Sequence, residues 1–145
     1  MKVTIYTDGA CKGNPGPGGW GAVLLATVNG VEHVKKLSGC EDKTTNQRME
    51  LTAVIEALKA LKGGPHEVEV YSDSAYVVNA FNQNWIQGWM ENAWKNSKGQ
   101  PVANQNLWLS LIELARSHNI TFIKVKAHTG DKYNEIANTL AGGMH

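Results

Sequence analysis

Three acidic residues, Asp8, Glu50 and Asp73, stand where folded chains gather functional groups. Asp8 ends an alternating stretch that reads as a strand, Asp73 follows Glu67–Ser72 (EVEVYS) directly before a helical stretch, and Glu50 lies near the start of a long helical pattern. In an α/β sheet, strand ends and the starts of the next elements are where binding groups collect. Each residue alone also has a plain account, since an aspartate before a helix is a common cap and an acid near a helix N-terminus complements its dipole. Brought to one sheet edge, the three would repel one another and raise some of their pKa values unless a cation neutralised them. An oxygen-rich, cysteine-free cluster suits the hard cation Mg²⁺, completed by water and phosphate oxygens. Two such ions about 4 Å apart position an attacking water and stabilise the leaving oxygen of a phosphodiester. The spacing by itself is compatible with both readings.

The elements that must position these groups follow from periodicity. Val3 and Ile5 alternate with polar residues up to Thr7-Asp8-Gly9. The glycine- and proline-rich run Gly13 to Gly19 is expected to be a tight turn and neither helix nor strand. Trp20 to Thr27 and Val31 to Ser38 read as two strands joined at Asn29-Gly30, a strong hairpin signal. A helix is expected over Asn46 to Lys62, stopped by Gly63-Gly64-Pro65. Then come the Glu67–Ser72 strand, a helix from Ser74 to about Asn82, a mixed Trp-rich stretch to Asn104, a helix over Leu107 to Ser117, a strand over Thr121 to Lys126, and a last helix over Lys132 to Ala141. Three consecutive strands followed by alternation imply an α/β fold with a mixed sheet and helices on both faces.

The chain of 145 residues, without repeats or linkers, is expected to be one domain over 1–145. Its formal net charge of +1 excludes nucleic-acid binding by bulk charge, leaving local patches and metal ions to do that work. Cys11 and Cys40 show no metal-ligand spacing; a disulfide between them is one reading, and two reduced thiols the expected one. No apolar run approaches the roughly 20 residues that span a bilayer. No secretory signal is evident, so a cytoplasmic location is expected, with no membrane partner. A short tail after Ala141 leads to the expectation of a monomer.

Five stretches then carry a resemblance: Thr7-Asp8-Gly9-Ala10-Cys11; Gly13-Asn14-Pro15-Gly16-Pro17-Gly18-Gly19; Thr45-Asn46-Gln47-Arg48-Met49-Glu50-Leu51; Ser72-Asp73-Ser74; and Val125-Lys126-Ala127-His128-Thr129-Gly130. In these, and in this order, the chain resembles the bacterial type-one ribonuclease H family along nearly its whole length. The resemblance implies the ribonuclease H-like fold, a five-stranded mixed sheet in order 3-2-1-4-5 flanked by helices. It also implies endonucleolytic cleavage of the RNA strand in RNA–DNA hybrids with two divalent metals, Mg²⁺ or Mn²⁺, leaving 5′-phosphate and 3′-hydroxyl ends. Asp8, Glu50 and Asp73 match three of the family's four metal-binding carboxylates.

The fourth position departs from the pattern. Where the family has aspartate followed by x-Leu-Ala, this chain has Asn138-Thr139-Leu140-Ala141. An asparagine keeps the shape and one carbonyl oxygen but lacks the charge, so it is a weaker ligand for a hard dication. Glu135, on the same helical face, is the alternative source of charge. The expectation is a chain that binds hybrid and cleaves it slowly; the competing class is a non-catalytic hybrid-binding module. His128 matches the family's catalytic-loop histidine, a group suited to proton transfer near neutral pH. His33, His66, His118 and His145 match no such motif and are read as ordinary residues.

By the same resemblance, Cys11, Gly13, Asn14, Asn46 and Gln47 contact the minor groove and 2′-hydroxyls, the groups that distinguish RNA from DNA. The family usually has asparagine at Gln47, which shifts that contact. Thr45 and Arg48 help hold a phosphate of the DNA strand, and such backbone contacts carry little sequence specificity. The Trp-rich stretch resembles the family's helical protrusion, here with only Lys95 and Lys98 offset by Glu91. Its tryptophans are expected to pack a small core and not to stack on bases.

Overall fold

In the computed structural model, residues 2–13, 15–125 and 132–142 are described. Five strands, β1 (Lys2–Cys11), β2 (Gly16–Val28), β3 (Val31–Thr44), β4 (Glu67–Ser72) and β5 (Asn119–Lys124), form one mixed sheet in the order β3-β2-β1-β4-β5. β1 pairs antiparallel with β2 and parallel with β4, and β4 pairs parallel with β5. The helices are α1 (Asn46–Lys59), α2 (Ala75–Asn82), α3 (Trp85–Glu91), α4 (Gln105–Ala115) and α5 (Lys132–Gly142). The architecture and strand order are those expected. No helix among the described residues is long and apolar enough to cross a membrane.

Several boundaries differ from the sequence reading. β2 begins at Gly16, inside the run expected to be all turn, and Gly18 and Gly19 pair with Cys11 and Ala10 of β1. Among the described glycines there, only Gly13 takes a positive φ, +78°, so the turn is confined to the start of the run and the rest is extended. β3 continues six residues past Ser38, through to Thr44, because β2 continues alongside it. α1 stops three residues early, at Lys59, where the chain turns towards Gly63 and Gly64, whose φ values are +72° and +115°. α4 starts and ends two residues earlier than expected. Cys11 and Cys40 oppose the neighbouring residues Gly18 and Gly19 of β2, so they point to opposite faces of the sheet and both thiols are free.

One face of β1 and β4 buries Val3, Ile5, Val68 and Val70 beneath α1, whose Leu51, Val54, Ile55 and Leu58 form the opposing wall. The tryptophans extend this core as expected. Trp108 is fully buried, with ring centroids 5.2 Å from Trp89 and 5.3 Å from Tyr76, and Trp94 stands 5.9 Å from Trp89. On the other face, α5 lies directly on β2. A Cβ at Gly21 would stand 2.5 Å from Leu140 Cβ and 2.6 Å from the Ala137 carbonyl oxygen, so only glycine permits this approach. α1 meets β1 in the same way: a Cβ at Gly9 would stand 2.5 Å from the Glu50 nitrogen.

Gly21→Ala is therefore expected to destabilise the fold by about 1–3 kcal/mol through overpacking. Gly88→Ala, at a helical position with open space around it, should stabilise by about 0.5–1 kcal/mol. Thermal or urea unfolding of the two variants checks the contrast in sign.

Candidate active site

The register of the central strands creates the first part of the site. Thr7 and Ser72 are the last paired residues of β1 and β4, and the next residue on each strand is an aspartate, Asp8 and Asp73. Parallel neighbours lie about 4.8 Å apart, so this register sets two carboxylates side by side. α1 supplies the third. Thr45 starts that helix by accepting a hydrogen bond on its side chain from the Arg48 N–H at 3.2 Å, and the close contact with Gly9 brings Glu50 down onto β1. One carboxylate oxygen from each of Asp8, Glu50 and Asp73 lies within 4.8 Å of the others.

The plain accounts of these acids do not hold in the fold. Asp73 does not cap α2; Ser74 does, accepting from the Val77 N–H at 3.3 Å, while the Ser74 N–H is held by Ser72 Oγ at 3.1 Å. Glu50 lies beyond the first turn of α1, which holds no acid, and is nearly buried. Asp73 is thus not the cap of its helix, and Glu50 stands past the turn where the helix dipole acts most strongly.

Electrostatics report the cost of this arrangement. Burial, the charge of Asp73 and a side-chain hydrogen bond with Asp73 push the Asp8 carboxyl up to about 7, against an ordinary 3.8, partly offset by the Gly9 N–H. Glu50 is pushed well above the usual carboxylate range by burial, then by the charges of Asp8 and Asp73, again offset by Gly9. The same glycine thus admits the helix and donates the backbone hydrogen bond that eases both carboxylates.

A cavity of about 560 Å³ opens onto this cluster, lined by Asp8, Glu50, Asp73, Asn138, Asn46 and Gln47, with Ser74 and Tyr76 on the side of α2. Asn138 reaches it from α5, whereas Glu135 is exposed and lines a different groove with Lys36 and Leu140. Glu135 therefore does not stand in for the missing carboxylate. Both side-chain polar atoms of Asn138 and the Oε2 of Glu50 are buried with no hydrogen-bond partner among the described residues. Buried polar groups are normally satisfied, and a divalent cation held by three carboxylate oxygens and one amide oxygen would satisfy Glu50 Oε2 and Asn138 Oδ1, leaving the Asn138 amide N–H groups to donate elsewhere. The donor set is all oxygen among the described residues, which fits a hard cation and not a soft one.

Of the other residues singled out by sequence, Asn46 and Gln47 line the cavity, while Cys11, Gly13, Thr45 and Arg48 do not. Cys11 Sγ lies 3.4 Å from the carbonyl oxygens of both Gly16 and Thr44, to which its one thiol hydrogen can donate, tying the end of β1 to the start of β2 and the end of β3. Asn14 and His128 lie outside the described residues. Two residues beside the site escaped sequence reasoning. Arg48 Nη1 donates to Asn104 Oδ1 at 3.4 Å, and the Tyr76 hydroxyl accepts from Asn104 Nδ2 at 3.3 Å and from Trp108 Nε1 at 2.9 Å. The helical position of Tyr76 just after Asp73 was the one local signal; Asn104 had none, because its partners are 28 and 56 residues away in sequence.

A family model described as RNase H matches residues 1–144. The chain is 57% identical over 140 residues to a ribonuclease H of Syntrophomonas wolfei, covering 97% of this chain and 93% of that one. It is similar in structure to LC9-RNase H1, described as a type 1 RNase H with the type 2 active-site motif, with a TM-score of 0.87 and 32% identity over 99% of this chain and 74% of that one. LC11-RNase H1, solved in complex with an RNA/DNA hybrid, shares the fold at TM-score 0.71 and 24% identity, over 98% of this chain and 95% of that one. A family match that spans nearly every residue, beside a relative identical at more than half of the aligned positions, leads to one assignment: the chain belongs to the ribonuclease H family.

Proposed function

We propose that this chain is a metal-dependent endonuclease that hydrolyses the RNA strand of RNA–DNA hybrids, without sequence preference, leaving 5′-phosphate and 3′-hydroxyl ends. The observation that carries this reading is the convergence of Asp8, Glu50, Asp73 and Asn138 on one cavity, with Glu50 and Asn138 holding buried polar atoms that no group among the described residues satisfies. Bound divalent cations, Mg²⁺ foremost and Mn²⁺ as a substitute, supply polarisation of the scissile phosphate and an attacking water of lowered pKa. Asp8, Glu50 and Asp73 hold that charge, and the Asn138 carbonyl adds a neutral oxygen.

The remaining roles follow the same division. Asn46 and Gln47, which line the cavity, read the minor groove and 2′-hydroxyls together with Cys11, Gly13 and Asn14. Thr45 and Arg48 take a phosphate of the uncleaved strand, with Arg48 steadied by Asn104. His128 serves as the proton carrier. The chain acts as one domain over 1–145, a monomer, in the cytoplasm.

Replacing aspartate by Asn138 removes one negative charge, so the chain as written needs more metal for turnover than a four-carboxylate site does. A labelled RNA–DNA hybrid, RNA duplex and DNA duplex, each with Mg²⁺, test the reading. Internal cuts confined to the hybrid's RNA strand are expected, and tight hybrid binding without cleavage, in both the chain and its Asn138→Asp variant, would establish a binding module instead. Asn138→Asp should lower the Mg²⁺ concentration for half-maximal cleavage by about tenfold, roughly the 1.4 kcal/mol expected of one added charge near the ion. Asp73→Asn should reduce cleavage by about 10²–10³-fold, the loss typical of removing one electrostatic stabiliser.

The pH dependence of stability has a defined sign. Asp8 keeps its proton up to about pH 7 in the metal-free fold against an ordinary 3.8, so the folded state binds more protons across that window and loses stability as pH rises through it. Millimolar Mg²⁺ should therefore raise the melting temperature more at about pH 8 than at about pH 5, which thermal unfolding with and without a chelator measures.

A further inference from the structure

The backbone does not hold the three carboxylates equally firmly. Asp8 stands inside β1, opposite Gly21 of β2, in a pairing that continues to Cys11. Glu50 stands inside α1, which runs on to Lys59. Asp73 belongs to neither a strand nor a helix. β4 ends at Ser72, its pairing with β1 and with β5 ends at the same residue, and α2 begins only at Ala75. A ligand carried on a connection of this kind can swing unless something local fixes its backbone, because segments outside regular pairing open most easily.

Here the local constraint is a side chain. Ser72 Oγ accepts a hydrogen bond from the Ser74 N–H at 3.1 Å, closing a turn directly around Asp73. Both ends of that turn are anchored. The Ser72 carbonyl accepts from the Val125 N–H at 3.0 Å, just past the end of β5, and the Ser74 hydroxyl accepts from the Val77 N–H at 3.3 Å in α2. Ser72 is fully buried, so an acceptor lost at this position is not replaced by bulk water as it would be on the surface. Of the two hydroxyls that flank Asp73, one starts the helix and the other spans the aspartate.

We propose that Ser72 is a positioning residue for the metal site: its buried hydroxyl fixes the Asp73 carboxylate beside Asp8 and Glu50 and thereby sets the affinity for a divalent cation. The inference rests on the proposed role of Asp73 as a metal ligand. A purely structural role, satisfying one amide in the core, would make Ser72 matter to stability and not to metal. Groups that orient a ligand differ from this in a measurable way, since their loss typically costs about 10–100-fold in metal affinity.

The test is calorimetric titration of the metal-free protein with Mg²⁺, at a temperature where every variant is fully folded. Ser72→Ala removes the acceptor, Ser72→Cys replaces it by a poor one of similar size, and Ser72→Thr keeps it. Val68→Ala, at a buried position near the other end of β4, is the control for lost stability. The expected result is that the Ala and Cys variants bind Mg²⁺ about tenfold more weakly while Ser72→Thr stays within about twofold of the parent. Val68→Ala should lower the melting temperature and leave Mg²⁺ affinity unchanged. In cleavage assays, the Mg²⁺ concentration for half-maximal rate should rise in Ser72→Cys with the KM for hybrid unaltered. The positioning role is overturned if Ser72→Ala and Ser72→Cys bind Mg²⁺ as the parent does, if Ser72→Thr fails to restore binding, or if Val68→Ala weakens it equally. Should the parent take up no Mg²⁺, or Asp73→Ala bind it as tightly as the parent, the ligand role of Asp73 falls and this inference with it. A parent that binds and an Asp73→Ala variant that does not, beside an unaffected Ser72→Cys, would remove the positioning role alone.

Discussion

Mutual repulsion among three carboxylates is the constraint around which this molecule is organised. Asp8, Glu50 and Asp73 come from three different elements, yet an oxygen of each lies within 4.8 Å of the others in a partly buried cavity. Left to themselves such groups would separate or remain protonated. The fold holds them together by features of the backbone that side-chain charge cannot easily undo. The β1–β4 register places two aspartates side by side where the pairing of those strands ends, although β1 itself runs on to Cys11, and the absence of a Cβ at Gly9 lets α1 bring the glutamate onto them. The gain lies in preorganisation: the free energy of assembling like charges is supplied by folding, so a cation entering the cavity meets a site already shaped for it.

Asn138 alters this balance without leaving the arrangement. It enters the same cavity from α5, whose position on β2 depends on Gly21, and it contributes oxygen without charge. A fourth carboxylate there would strengthen both the attraction for a cation and the repulsion in its absence. On the proposed function, the amide would lessen both, with less strain in the metal-free protein and a weaker hold on metal.

Much of this was legible in the sequence, for identifiable reasons. Strand order and helix placement follow from alternation and amphipathic spacing, which local sequence records directly. The acids could be ranked only in company, because Asp73 alone resembles a cap; the fold removes that account by giving the capping role to Ser74. The glycine run misled in the opposite direction. Its composition suggests turn throughout, but pairing with β1 and β3 draws residues from Gly16 onwards into an extended strand, a tertiary effect that overrides local preference. The Tyr76–Asn104–Arg48 chain was not legible at all, because each link joins residues distant in sequence. Glu135 and Asn138 lie on one helical face, three residues apart, and only the packing of α5 on Gly21 decides which of them enters the site.

The central claim is that a divalent cation takes the place of protons among these carboxylates. Calorimetric titration of the metal-free protein with Mg²⁺ near pH 6.5, repeated in buffers of different ionisation enthalpy, counts the protons released on binding. The account predicts release of about half a proton or more, since Asp8 alone is largely protonated there, and it predicts that Asp8→Asn lowers that release. Mg²⁺ binding with no proton release, or with the same release from the Asp8→Asn variant, would contradict it.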